Sequence, residues 1–393
     1  MRRDSAAALS LLVGLLAAPA CDRQTAKTDP APLVQPQRDI YEHADELAHR
    51  FIILDGHVDV PYRVSALLEG GAPLPAIHDH TDEGHFDYAR ARAGGLSAPF
   101  MSIYTPSELQ ARPGASKAFA EANIDYIHGL VVDHPDKFAL ARTPAEVRTN
   151  FERGLISLGM GMENGSPLES ELANVEHFYE RGIRYITLTH ARDNLVCDSS
   201  YDEARTHGGL SEFGRAVVAE MNRVGIMVDI SHVSDATFWQ VMELSAVPVI
   251  ASHSSCRHFT PGFERNMSDE MIVALAERGG VIQINFGSAF VHGDHIAAEE
   301  RRDYPVPRGD VSLVADHIDH VVELAGVDHV GFGSDFDGVE NLPIGLEDVS
   351  TYPNLIAELL ERGYSEADIE KICSGNVLRV WQAVEDYGAA HRG

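Results

Sequence analysis

Gly225-Ile226-Met227-Val228-Asp229-Ile230-Ser231-His232, followed after a helix-like run by Val247-Pro248-Val249-Ile250-Ala251-Ser252-His253-Ser254, is the stretch whose reading decides the fold. Each half is an apolar, β-branched run that finishes on a histidine. Between them, residues 234–244 carry helical spacing, with Ser234 placed as N-cap. The pattern predicts strand–helix–strand, with His232 and His253 at the carboxyl ends of neighbouring parallel strands. That edge carries the site in open α/β sheets and closed α/β barrels alike.

Outward from this unit the same pattern repeats. A lead-in helix is expected over residues 39–51 and a first strand over 52–60, where Pro61 stops the ladder. Further strands are expected over 96–104, 155–162, 184–188, 281–286 and 329–333. Helices are expected over 115–132, from 144, and over 169–181, 211–224, 268–278, 316–325, 350–362 and 365–386. Residues 62–95 and 287–310 read as a long excursion and a polar insert. His78, His80 and His85 fall in the first of these, and His317 and His320 on a helix read as surface or packing residues. Eight strand–helix units predict a (β/α)8 TIM barrel with loop insertions. A doubly wound open sheet would not need eight units, and Gly159-Met160-Gly161 lacks the third glycine of a nucleotide loop.

The chain has 393 residues, 44% of them hydrophobic, enough for a large buried core. Its formal net charge of −29 speaks against nucleic acid or an anionic lipid surface as a partner. Residues 1–21 read as a signal peptide of lipoprotein type: Arg2 and Arg3, an apolar run over 6–19, small residues at Ala18-Pro19-Ala20, then Cys21 as lipidation site. Residues 22–38, with Pro30, Pro32 and Pro36, read as a linker, and 39–388 as the catalytic barrel domain. The expected location is the bacterial cell envelope or periplasm, with membrane contact only through the N-terminal lipid. Cys197, Cys256 and Cys373 cannot all pair, so no disulfide framework is expected, and Cys256 reads as a small buried thiol.

Strand ends and the residues beside them supply His57, Asp59, Glu163, His190, His232, His253 and Asp335. Singly, each is an ordinary polar or capping residue. Together, at one edge of a barrel, imidazoles and carboxylates form a first-row metal inventory of metal-dependent hydrolase type. The set exceeds one tetrahedral zinc. It suits two metals roughly 3.5–4 Å apart sharing a carboxylate and a water. Glu163 is the natural bridge, and Asp335 the proton carrier.

Asp55-Gly56-His57-Val58-Asp59-Val60-Pro61 resembles the opening motif of the membrane dipeptidase (renal dipeptidase) family of zinc peptidases, peptidase family M19. Glu163, Arg184-Tyr185-Ile186-Thr187-Leu188-Thr189-His190, Ile230-Ser231-His232-Val233-Ser234, Ala251-Ser252-His253-Ser254-Ser255, Arg265-Asn266 and Gly333-Ser334-Asp335-Phe336-Asp337-Gly338 are similar to its later motifs, in order. The resemblance implies two Zn2+ per chain, one held by His57, Asp59 and Glu163, the other by Glu163, His232 and His253. A water or hydroxide between them would be the nucleophile. It further implies that His190 contacts substrate and steadies the oxyanion, that Arg265 clamps the dipeptide carboxylate, and that Asp335 binds substrate and delivers a proton to the leaving amine. The implied substrate is a dipeptide, with L-Xaa-D-Xaa included, and the implied assembly is a homodimer. Val58, Asn164, Val196 and Gly287 depart from the family pattern at positions that are not ligands, and so bear on substrate preference.

Two alternatives stand beside this expectation. One keeps the scaffold as a binuclear amidohydrolase acting on a β-lactam, lactone or other small amide. The other is a non-catalytic metal- or ligand-binding lipoprotein, against which the presence of Glu163 and Asp335 speaks.

Overall fold

The computed structural model describes residues 39–302 and 305–392, without the side chains of residues 297, 299 and 300. The expected signal peptide, Cys21 and linker lie outside the described residues. Among the described residues nine strands follow one another: β1 Ile53–Val58, β2 Leu96–Tyr104, β3 Phe138–Leu140, β4 Ile156–Glu163, β5 Ile183–Thr187, β6 Met227–Asp229, β7 Ile250–Ser254, β8 Val281–Ile284 and β9 Val330–Phe332. Every pairing between them is parallel. β2 pairs with β4 and β1 with β9, so eight strands close into a barrel. β3 stands outside it, paired only with the first residues of β4.

The eight expected strands are all present. Strands buried on both faces read as unbroken apolar runs, and β1, β4 and β7 are buried at every position. Capping follows the sequence as well: Ser234 and Ser268 accept from the third residue of their helices, and Ser365 with Asp368 forms a reciprocal capping box.

The structure corrects three expectations. Pro61 does not merely stop β1; it occupies the first turn of a helix, Val60–Glu69, where its missing N–H costs nothing. The excursion after it holds a second helix, Tyr88–Ala93, and the insert after β8 holds Ser288–Val291 and Gly293–Arg301. The C-terminal helix is broken by a π turn at Lys371–Gly375 before running on as Asn376–His391. His317, read as a surface or packing residue, is a packing residue: it is fully buried and lies against Phe259.

Two apolar bodies result. The larger lies between barrel and helices. The smaller fills the amino-terminal half of the barrel with Leu54, Phe100, Tyr185, Met227 and Ile250, closed by Leu378 and Trp381 of the last helix. Trp381 packs on Phe100 at 5.1 Å between ring centres, and Phe100 on Tyr185 at 5.2 Å. Room for the Tyr185 ring comes from Gly161, where a Cβ would fall 1.9 Å from it. This aromatic column rises through the barrel and ends at the hydroxyl of Tyr185.

Candidate metal centre

Above the column, the carboxyl ends of the strands bring the expected donors together. His57 lies in β1, and Asp59 follows it at the N-cap of Val60–Glu69. An aspartate there ordinarily accepts from the helix N–H groups, but Asp59 makes no such bond. Its Oδ2 instead faces His57 Nε2 at 3.3 Å. Glu163 closes β4 and is buried among the histidines. Its Oε2 lies 3.3 Å from His57 Nε2, while Oε1 lies 3.0 Å from His232 Nε2, 3.2 Å from His253 Nε2 and 3.6 Å from His190 Nε2. His232 and His253 present their Nε2 atoms to each other at 2.9 Å.

This is a poor set of mutual hydrogen bonds. The buried His57 Nε2 and Asp59 Oδ1 make no hydrogen bond. Burying polar atoms without partners costs about 1–3 kcal/mol each. Burial and then the Arg265 guanidinium hold His232 well below the usual histidine range, and burial with the neighbouring His57 does the same for His253. Burial works to raise the Glu163 carboxyl, but the histidines around it outweigh this and hold it well below the usual range. At His232, His253 and Glu163, neutral imidazoles and an ionised carboxylate converge on one point, which matches what a divalent cation requires. The donors fit a metal.

Supporting residues fix the tautomers. His57 Nδ1 meets the Tyr185 hydroxyl at 2.8 Å, and that hydroxyl donates to Gly56 O. His57 therefore donates from Nδ1 and turns Nε2 toward the centre. His253 Nδ1 meets Ser252 Oγ at 2.7 Å, and Ser252 donates to Asp229. Asp229 also accepts from the Thr187 hydroxyl and from the N–H groups of Ser231 and Ser252. Asp55 accepts from His57 N, Ser334 N and the Tyr352 hydroxyl, tying β1 to the loop after β9. Tyr185, Asp229 and Asp55 were not singled out from the sequence. The signal for the two aspartates was a lone carboxylate inside an apolar strand run.

Asp335 stands beside His57 and His253, within reach of a shared ion. Asn285 Nδ2 donates to its Oδ2 at 2.8 Å. Burial, reinforced by the charge of Asp59, pushes its carboxyl up to about 7. Gly338 makes the approach possible: a Cβ there would sit 2.2 Å from Asp59 Oδ2 and 2.4 Å from Asp335 Oδ1. Asn164, His232, Asp335 and Asp337 all have φ between 64° and 77°, so the backbone is bent into the left-handed region at the site.

A pocket of about 540 Å³ opens over this centre. Asp59, Glu163, His190, His232 and Asp335 form its floor, and Tyr62, Tyr104, Tyr201, Phe290 and Val339 its walls. Arg265 is not in the lining. It is 3% exposed, with Nη1 on Ser254 Oγ, Nη2 on His253 O and its Nε without a partner, under the Phe290 ring. His190 is grouped with Glu163 and His232 as closely as the other donors are, so geometry alone allows it as a ligand. His78, His80 and His85 stay outside the cluster, as expected.

Residues 41–392 match the model of the membrane dipeptidase family, peptidase family M19. The chain belongs to that family. Dipeptidase verJ of Clonostachys rogersoniana is 37% identical over 348 residues, covering 85% of this chain and 84% of that protein. Among solved structures, the probable dipeptidase PvdM of Pseudomonas aeruginosa superposes with a TM-score of 0.80 at 28% identity, over 88% of this chain and 99% of the other. A metallo peptidase of Rhodobacter sphaeroides, liganded with a phosphinate mimic of the dipeptide L-Ala-D-Ala, gives 0.74 at 28% identity, over 85% and 99%.

Proposed function

We propose that this member of the membrane dipeptidase family hydrolyses the peptide bond of dipeptides with two zinc ions at the centre built on Glu163. The observation that carries it is the division of the Glu163 carboxylate, Oε2 toward His57 and Oε1 toward His232 and His253. His57, Asp59 and Glu163 would hold one ion, and Glu163, His232 and His253 the other. When bound, such a pair acidifies water and polarises a carbonyl oxygen.

The chain's own residues do the rest. Asn285 holds Asp335 through Oδ2 and leaves Oδ1 to carry a proton to the leaving amine. His190, on the pocket floor, donates a hydrogen bond to the oxyanion as it develops. The tyrosines and Phe290 enclose the dipeptide side chains and exclude water. Arg265 as carboxylate clamp rests on the family resemblance, since its fork is engaged with the end of β7. Export through residues 1–21 and tethering through Cys21 are part of the same proposal, and the mass of the mature N-terminus tests them.

The deciding experiment is hydrolysis of L-Ala-L-Ala and L-Ala-D-Ala before chelation, after it, and after zinc is returned. The expected result is activity lost with chelation and restored by zinc. Zinc-loaded protein that cleaves neither dipeptide would overturn the substrate, and protein that binds no zinc would overturn the centre.

A further inference from the structure

A second group of metal-type donors lies away from the pocket, on the outer face of the barrel. His258 sits in the short turn Arg257–Phe259 after β7, Asp269 opens the helix Asp269–Glu277, and His320 lies on the helix Val311–Ala325. One ligand atom from each lies within 4.8 Å of the other two. His320 Nε2 and Asp269 Oδ1 are 2.8 Å apart, and the His258 ring stacks on His320 at 4.3 Å between centres, 29° from parallel. The neighbouring cation does not intrude, because Arg257 is turned away into a two-point ion pair with Asp235. The side chains of His320 and Asp269 are 12% and 43% exposed, and His258 is exposed, so one side of the group is open to water.

We infer that His258, Asp269 and His320 form a separate binding site for a divalent transition-metal ion of zinc type. Two imidazoles and one carboxylate, with water completing the shell, suit Zn2+, Co2+ or Ni2+ and not the oxygen-seeking Mg2+ or Ca2+. Binding replaces the proton now shared between His320 and Asp269, and a chain of net charge −29 draws cations to its surface.

The place of the site gives the ion a structural role. His258 and Asp269 bracket residues 259–268, the segment that carries Arg265 behind the pocket. One turn before His320, His317 already anchors the start of this segment by accepting Cys256 N–H at 2.9 Å. An ion on His258, Asp269 and His320 fastens both its ends to the helix Val311–Ala325.

The test compares the full chain with His258→Ala and Asp269→Asn. The second variant keeps an acceptor for His320 but removes the anion. All three are equilibrated in the same buffered micromolar Zn2+, and protein-bound zinc is counted. Each variant is expected to carry one zinc fewer per chain than the wild type. Equal zinc in all three overturns the site. Loss of more than one zinc per chain overturns its separateness from the central group. The readout is a difference in bound metal, so it holds whatever the central donors bind or cleave.

Discussion

His253 and His317 are the same residue type, equally buried, and unalike in every other respect. Both nitrogens of His317 are used within the fold: Nδ1 accepts from Cys256 N, and Nε2 donates to Val291 O. His253 uses Nδ1 on Ser252 and turns Nε2 toward another histidine and a carboxylate. One is finished by backbone partners and the other faces a group of donors that fits a metal. Burial alone does not separate structural from functional histidines, whereas the fate of the second nitrogen does.

The contrast breaks most visibly at Glu163. Glu163→Gln, or His253→Ala, should lower kcat/KM by on the order of 10³-fold or more and strip metal, read by kinetics and metal analysis on folded protein. A variant that keeps its metal and its rate would end the distinction. Next in size are the residues that set the tautomers. Tyr185→Phe and Ser252→Ala should each weaken zinc binding or activity by about 10–100-fold, measured by competition with a chelator.

At His317 the same kind of change should act on stability. His317→Ala leaves Cys256 N–H and Val291 O unpaired and opens a cavity, for roughly 2–4 kcal/mol in urea unfolding. Activity per folded molecule should stay near that of the wild type. A further effect, up to about 1.4 kcal/mol over any one pH unit, concerns pH. Burial pushes the His317 imidazole down to about 3 in the folded protein, against about 6.5 in an unfolded chain. Between those values the unfolded state binds more protons, so this contribution is whole above about pH 6.5 and is lost as pH falls toward 3. Its slope is up to about 1.4 kcal/mol per pH unit. His317→Gln should flatten the acid limb of stability against pH by that amount, and an unchanged limb would show that His317 is not the group being protonated.

The barrel was readable because each of its strands is an apolar run long enough to stand out from its surroundings. β3, three residues of Phe-Ala-Leu, offers too little pattern to register. Pro61 misled because proline ends a strand and begins a helix with equal ease. The ligand candidates were readable from their place at strand ends. Asp229, Asp55, Tyr185 and Asn285 were not, because a sequence does not say which neighbour a strand residue meets across a closed sheet. Arg265 was named from the motif alone, and its seat behind Phe290 could come only from the fold of the segment that carries it.

The aromatic column has a consequence for how the molecule comes to life. His57 is the first donor to leave the ribosome and Trp381 follows every candidate ligand, yet the imidazole leans on Tyr185, Tyr185 on Phe100, and Phe100 on Trp381. A nascent chain halted before residue 376 holds every candidate ligand and lacks the floor beneath the first of them. Such arrested chains should take up zinc more weakly than released ones. Competence would then arrive only when the helix Asn376–His391 closes the barrel from below.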